Sequence, residues 1–414
     1  MPTPHCGAPR DGALSVAAVL RRFLPQSAIP ASQHTHKVLQ RLSRCHTGQL
    51  GWTLWHCAQC SKPHWRPAGC GDRHCPDCTG RAREAWIEKQ RAALLPVRYY
   101  HWVFTIPAAL RPLTLQNQKV IYTLLFNTAS ETLLQFGEER FGARLGITAL
   151  LHTWGQQLQE HPHLHCLVTG GGLALKDNST WVGPKQGKYL FPVKAVAVMF
   201  RGKFLAGLQA LRAAGKLEFH GRVKPLENSD TWNSTLGVLA GTKWNVFGKG
   251  SVAGPEAVLE YLGRYTHRVA ISNGRLIRMD ERTVTFRYKD YKSDGALREM
   301  TLDGREFVRR LSLHILPTGF TKIRHYGILG NNRRAKQIPL ARVALEKSRW
   351  HMDLAPVNKL PKPPAEPSGC PRCGSTDLVC IGRLDAAGQF IGLRRGAGRI
   401  ALRTGLPPRP LDSS

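Results

Sequence analysis

The stretch "HCAQCSKPHWRPAGCGDRHCPDC" (His56 to Cys78) limits what this chain can become more than any other. It holds two Cys-x-x-Cys pairs, Cys57/Cys60 and Cys75/Cys78, with fourteen residues between them. Each pair can form a tight knuckle, and two knuckles close a tetrahedral cage of thiolates around zinc. A small metal-clasped module is therefore expected here, with Cys57, Cys60, Cys75 and Cys78 as ligands of a structural Zn2+, because no coordination position is left open to water. Cys45, Cys70, His64 and His74 lie near enough in sequence to replace a ligand or to build a second site. Four ordinary reduced cysteines is the competing reading.

Metal rather than disulfide is the natural use of these thiols if the compartment is reducing. The apolar run "ALSVAAVL" near the N-terminus is short, is followed by Arg21 and Arg22, and lacks a cleavage pattern. No membrane-spanning stretch is visible, so a cytoplasmic location is expected. The 59 Lys and Arg against 28 Asp and Glu give a formal charge of +31, spread along the chain. A field of that size attracts polyanions and makes nucleic acid the leading partner. A membrane surface ranks behind it.

Beyond the cysteines the pattern mixes helices and strands, an α+β chain. Helices are expected over Ala13–Leu24, over "RAREAWIEKQRAALL" up to Pro96, and over "NQKVIYTLLFNTASETLLQF", "VMFRGKFLAGLQALRAAG", "GPEAVLEYLGRYTHRV" and "REFVRRLSLHIL". Strands are expected over "RYYHWVFTI", "ARLGITALLHTW" and "HLHCLVTG", with a turn from Gly155 to Glu160 and a hairpin over "RLIRMDERTVTFRYKD". The organisation read from this is an N-terminal helix and zinc-binding domain over 1–90, an α+β domain over 91–350, and a largely flexible end over 351–414. That end holds the Pro-rich "PVNKLPKPPAEPSG", a "CPRC" that looks like half a zinc ribbon, and an Arg- and Gly-rich tail. A second zinc there is not expected, since the matching pair is absent from the segment and Cys380 adds only one thiol.

"EHPHLHCLVTGGGL" places His161, His163 and His165 at alternate positions. On a strand these share one face. Two imidazoles so spaced can hold a divalent ion while leaving positions free for substrate; a His-rich sheet surface is the alternative. A third ligand is sought among Gln156, Gln157 and Glu160 on the adjoining turn, or in His161. "VLEYLGRYTHRVAISN" puts Tyr261 and Tyr265 four residues apart, hence on one helix face. Such pairs usually pack in a core. A metal-polarised phosphate beside Arg264, His267 and Arg268 would instead let a tyrosine, whose ordinary pKa is about 10, act as nucleophile.

Taken together, these blocks resemble a known family. His163-Leu164-His165 is similar to the HUH motif of single-strand endonucleases, and Tyr261-x-x-x-Tyr265 to their two-tyrosine branch. The cysteine cluster ending "RHCPDC", then "HPHLHCLVTGGGL", "YLGRYTHRVAISN" and "LPTGFTKIRHYGIL" occur in the order seen in transposases of the insertion sequence ninety-one family. The resemblance spans roughly Gly48 to Arg334. It implies an antiparallel sheet flanked by helices, preceded by the zinc domain. It implies Mg2+ or Mn2+ on His163 and His165, with Gln157 or His161 as third ligand, and Tyr261 and Tyr265 as nucleophiles. The implied activity is rolling-circle transposition: single-stranded DNA is nicked at the element's ends and joined to target DNA through a 5′-phosphotyrosine. No nucleotide cofactor is implied, and no phosphate-loop motif occurs, so a host helicase would supply unwinding. Arg264, Arg268, Arg324 and His325 are the expected DNA contacts, with Arg66 and Arg73 also suited to phosphate. A zinc-ribbon DNA-binding regulator without cleavage activity, and a relaxase or replication initiator of the HUH type, are the competing functions.

Overall fold

The computed structural model describes residues 14–79, 86–87, 90–184, 190–252, 258, 268–346, 348–352 and 369–391. Tyr261, Tyr265, Arg264 and His267, the linker 353–368 and the tail from 392 lie outside the described residues, as do residues 81–85 and 88–89 of the helix expected over 81–95.

The chain opens with helices α1 (Val16–Phe23) and α2 (Gln33–Ser43), each begun by a serine whose hydroxyl accepts from a first-turn amide: Ser15 from Ala18 and Ser32 from Thr35. Strands β1 (Trp52–Cys57) and β2 (Pro63–Pro67) follow, then β3 (Tyr99–Thr105). A short helix, α3 (Arg111–Gln116), leads into α4 (Gln118–Phe141), which stops at Gly142 in the left-handed conformation with φ 59°. Next come β4 (Ala143–Trp154), β5 (Glu160–Ala174), β6 (Trp181–Val182), α5 (Val193–Ala213), α6 (Ser229–Gly241) and β7 (Val246–Val252). The later half carries β8 (Leu276–Met279), β9 (Thr283–Asp290), β10 (Ala296–Asp303), α7 (Gly304–Ser312), β11 (Ile323–Gly327) and α8 (Arg334–Glu346). β12 (Leu378–Leu384) and β13 (Phe390–Ile391) end the described chain.

Among the described residues the strands form three antiparallel sheets. The largest has the order β11-β4-β5-β3-β7, with β6 also on β5, so the histidine strand is central. Alternation gives its two faces different neighbours. Trp102, Phe104, Ile147, Ala149, Leu164, Cys166 and Val168 pack against Phe126 and Leu133 of α4 and Phe200 and Phe204 of α5 in the main core. Tyr99 and Leu167, on the other face, pack with Ile338, Ala341 and Leu345 of α8. The fold is thus α+β, an antiparallel sheet with helices on both faces.

Two departures from the sequence reading bear on the sites. β5 does not end at the glycines; it runs on through Gly170, Gly171 and Gly172 to Ala174 and pairs with β6. The glycines serve close approach: Gly171 has φ 120°, and a Cβ on Gly172 would collide with the Arg144 carbonyl of β4. The second departure is the C-terminal segment expected to be flexible. Residues 378–391 form a hairpin whose strand β12 pairs with β1, giving a sheet of order β13-β12-β1-β2 that joins the two ends of the described chain.

Candidate active site and metal centres

The cysteines expected as one zinc site are divided between two clusters. Cys75 and Cys78 group with Cys45 and Cys70; Cys57 and Cys60 group with Cys370 and Cys373. The physical reason is the sheet. β1 carries Cys57 to the end of the β1–β2 hairpin, where it meets the C-terminal segment, while Cys75 and Cys78 turn toward the end of α2. In the first cluster Cys45 Sγ lies 3.5 Å from Cys78 Sγ and 3.6 Å from Cys75 Sγ, and Cys70 Sγ lies 3.7 Å from Cys78 Sγ. A tetrahedron with Zn–S bonds of about 2.3 Å has edges of about 3.8 Å, so the four sulfurs fit zinc. The amides of Cys70 and Gly71 donate to Cys45 Sγ and Cys78 Sγ, each at 3.3 Å, which favours thiolates. The cluster is walled by α1, α2, Leu158 and Phe307 in one continuous apolar core.

His64 and His74, the alternative ligands, are in neither group among the described residues. His74 instead bonds Asp72 and accepts from the Leu316 amide. Arg66 and Arg73 reach backbone carbonyls, Arg66 that of Gly369 and Arg73 those of Phe320 and Pro317, so both act as internal braces.

On the central sheet, His163 stands directly opposite His152 of β4, and His165 opposite Leu150. His152, His163 and His165 each present a ring nitrogen, all within 4.8 Å of one another. The third nitrogen therefore comes from His152, where the sequence suggested Gln157 or His161. Gln157 sits on the β4–β5 turn, its amide donating to Gln159 and its carbonyl accepting from Arg310. His161 accepts at Nδ1 from the Arg111 guanidinium at 3.3 Å and stands outside the trio. An irregularity in pairing between His152 and Trp154 sets this register. A one-residue slip reverses faces, so the bulge decides whether His152 meets His163 at all. Trp154 stacks on His152 at 4.7 Å.

Hydrogen bonds orient the rings. His163 Nδ1 lies 2.6 Å from the His161 carbonyl, which can only accept, so Nδ1 carries the proton and Nε2 is left bare. His165 Nδ1 lies 2.9 Å from Nε2 of His101, a buried histidine of β3 that the sequence reading passed over. Burial, with the nearby His161 and Arg268 opposing protonation against the carbonyl bond, pushes His163 down to about 4; burial and Lys249 do the same to His101. His165 is also held well below its ordinary value, burial first and the surrounding histidines next. Neutral imidazoles are what a divalent cation needs. Glu160, on the opposite face of β5, is pushed up to about 8 by burial and does not join the set.

The expected DNA contacts part company. Arg268 is exposed and close enough to bear electrostatically on both His163 and His165. Arg324 lies over the rings of Phe126 and Phe320, 4.3 and 5.0 Å from their centroids, and so faces the α4 layer. His325 points to the histidine side of the sheet, bonded to Thr148 at 3.1 Å, and burial pushes it down to about 4.

Comparison with known proteins agrees with this architecture. Residues 146–336 match the family model described as "Putative transposase", and residues 17–106 match the "Transposase zinc-binding domain" model, which encloses the Cys45–Cys78 cluster. The chain is 41% identical over 341 residues to "Putative transposase y4qJ" of Sinorhizobium fredii, covering 80% of this chain and 84% of that protein. It is 28% identical over 313 residues to "Transposase for insertion sequence element IS801" of Pseudomonas savastanoi pv. phaseolicola, covering 75% of this chain and 74% of that one. No solved structure matches. Among the described residues no helix is long and apolar enough to cross a membrane. With the zinc-fitting thiolates at one end and the histidine strand at the centre of the matched region, the chain belongs to the IS91 family of transposases, enzymes that act on DNA.

Proposed function

We propose that this transposase works by rolling-circle strand transfer, nicking and joining single-stranded DNA at the element's ends through a 5′-phosphotyrosine. The observation that carries the reading is the histidine trio on two neighbouring strands of the central sheet. His163 and His165, with His152, would hold a divalent cation, Mn2+ or Mg2+. Three imidazoles without a carboxylate suit Mn2+ better than Mg2+. When bound, the cation supplies Lewis-acid stabilisation of charge on the scissile phosphate.

The nucleophiles are Tyr261 and Tyr265. The described residues that bracket them support this: Val258 is buried with Tyr99 and Leu167 on the histidine face of the sheet, and Arg268 bears on His163 and His165. One tyrosine oxygen bonds to phosphorus as the P–O3′ bond breaks. The phenolic proton leaves to solvent, and the departing 3′ oxygen takes one up. The products are a 5′-phosphotyrosine and a free 3′-hydroxyl. Attack by a target strand's 3′-hydroxyl on that phosphotyrosine restores the tyrosine and joins the strands. The bond energy is conserved, so no nucleotide is consumed; a host helicase opens the duplex.

Beside the trio, a cleft of about 480 Å³ is lined by Thr105, Arg111, His161, Val238 and Lys243. Its two cations and apolar wall suit the backbone and bases of a single strand. The test is incubation with labelled single-stranded element ends and Mn2+. A denaturation-stable protein–DNA adduct is expected, and it should vanish in the Tyr261→Phe, Tyr265→Phe double variant. An adduct that persists in that variant, or strong DNA binding with no cleavage in the unmutated protein, overturns the reading.

A further inference from the structure

We propose that Cys57, Cys60, Cys370 and Cys373 form a second tetrahedral zinc site, a composite ribbon built from both ends of the described chain. It reaches beyond the zinc-binding match of residues 17–106, because Cys57 and Cys60 lie within that match while Cys370 and Cys373 come from the C-terminal segment.

Four observations support it. First, the four sulfurs converge, with Cys57 Sγ 3.7 Å from Cys373 Sγ and Cys60 Sγ 3.6 Å from Cys370 Sγ, and all four within 4.8 Å of one another. These edges match the spacing of about 3.8 Å that Zn–S bonds of about 2.3 Å require. Sulfurs of two disulfides would pair off at about 2.05 Å instead of meeting as four.

Second, the two loops are alike. Cys57-Ala-Gln-Cys60 is followed by Ser61 at φ 53°, and Cys370-Pro-Arg-Cys373 by Gly374 at φ 73°. Each loop closes on itself. The Cys57 amide donates to the Lys62 carbonyl; the Cys370 amide donates to Ser375, and that of Gly374 to Cys370. A serine held in left-handed backbone is uncommon and persists only where its surroundings dictate it. Two such knuckles facing each other are the two halves of a zinc ribbon.

Third, the strands bring the knuckles together in register. Ala58 donates to the Asp377 carbonyl at 3.0 Å, and Cys57 pairs with Leu378 where β1 meets β12. Fourth, the sheet lacks the core to hold itself. Its buried apolar cluster is Trp52, Leu54, Trp65 and Leu384, with Ile381 packed alongside. So few side chains do not stabilise four strands in water, and small folds of this size are commonly completed by a metal. The pairs joined are 310 and 316 residues apart, so the ion fastens the chain's late segment to the family's zinc-binding domain.

The full-length protein is purified without chelator and its zinc counted per chain by mass spectrometry of the metal. Two ions per chain are expected, and one in each of the double variants Cys57→Ser/Cys60→Ser and Cys370→Ser/Cys373→Ser. Exchange for Co2+ should give a sulfur-to-metal charge-transfer absorbance in the unmutated protein about twice that of either variant. A readout on the unmutated chain keeps the test independent of how the variants fold. Cys370 and Cys373 should resist alkylation by at least about tenfold with zinc bound and lose that protection when chelator is added. One zinc per chain in the unmutated protein, two zinc ions retained when Cys370 and Cys373 are both replaced, or alkylation of those two cysteines that chelation does not change, overturns the proposal.

Discussion

Cys45, Cys70, Cys75 and Cys78 leave a metal no place for water, whereas His152, His163 and His165 fill at most three positions of any ion they hold. The thiolates lie in a core with α1, α2 and Phe307; the histidines lie on a sheet face whose neighbouring cleft opens to solvent. Soft, complete coordination is the arrangement of a structural ion, and incomplete coordination by neutral imidazoles that of a working one. Within one chain, ligand type and closure divide fold maintenance from chemistry. The division also explains the supporting contacts. Backbone amides donate to the thiolates and stabilise their charge, while the His161 carbonyl leaves Nε2 of His163 bare and His101 engages Nδ1 of His165.

The largest effect that probes this division is expected from His163→Ala. It should lower the rate of covalent adduct formation about 10²–10³-fold, the loss typical of removing one preorganised element of charge stabilisation. Zinc content per chain should stay as in the unmutated protein. Quantified adduct on denaturing gels and metal counting on the same preparation check both halves. A fall in zinc content would show the two regions to be coupled and break the comparison.

A smaller effect is expected one layer out. His101 is not itself a proposed ligand; it bonds Nδ1 of His165 from β3. Removing such a partner typically weakens metal binding 10–100-fold. His101→Ala should therefore raise the Mn2+ concentration for half-maximal nicking by that factor, with the rate at saturating Mn2+ nearly restored. His101→Asn, which can still accept from His165, should recover part of the affinity. A lowered maximal rate at unchanged Mn2+ dependence would assign His101 to the chemistry rather than to positioning.

How much of this could be read from the residues differs between the two regions in the same way. Short-range patterns were legible: the Cys-x-x-Cys pairs, the His-x-His alternation, the α+β mixture and the ordered blocks of the family. Each depends on neighbours in sequence. The ligand sets were not, because they depend on register and on long-range pairing. A plain hairpin counted from Trp154 and Glu160 puts Pro162 across from His152; the bulge beside Trp154 shifts the partner to His163. Nothing local signals that bulge. Cys75 and Cys78 find Cys45 through the packing of α2, and Cys57 and Cys60 meet cysteines more than three hundred residues away through the β1–β12 pairing. The strand expected over "HLHCLVTG" stops at the first of the glycines, a residue that usually marks a turn, yet here the glycines admit neighbouring backbone within a continuing strand.

The smallest effect concerns the seam between the two regions, where His314 sits. Its Nε2 lies 3.1 Å from the Leu158 carbonyl and must donate, so Nδ1 is bare and accepts from the Thr153 hydroxyl at 3.2 Å. Thr153 belongs to β4 beside His152, while Leu158 packs in the core that walls Cys45, Cys70 and Cys75. Burial pushes His314 down to about 4, the Leu158 bond opposing and His74 adding to the fall. The folded state thus favours the neutral ring. An unfolded histidine takes up its proton near pH 6.5, so the stabilisation is complete above that value and is lost as pH falls from about 6.5 toward 4. The slope is at most about 1.4 kcal/mol per pH unit, so on the order of 1 kcal/mol should vanish between pH 6.5 and 5.5. Urea midpoints measured across that interval should fall for the unmutated protein and fall less for His314→Gln, whose amide can donate to Leu158 without titrating. Equal slopes for the two proteins would mean that the seam opens before the thiolate and histidine regions unfold, and that they are two units rather than one.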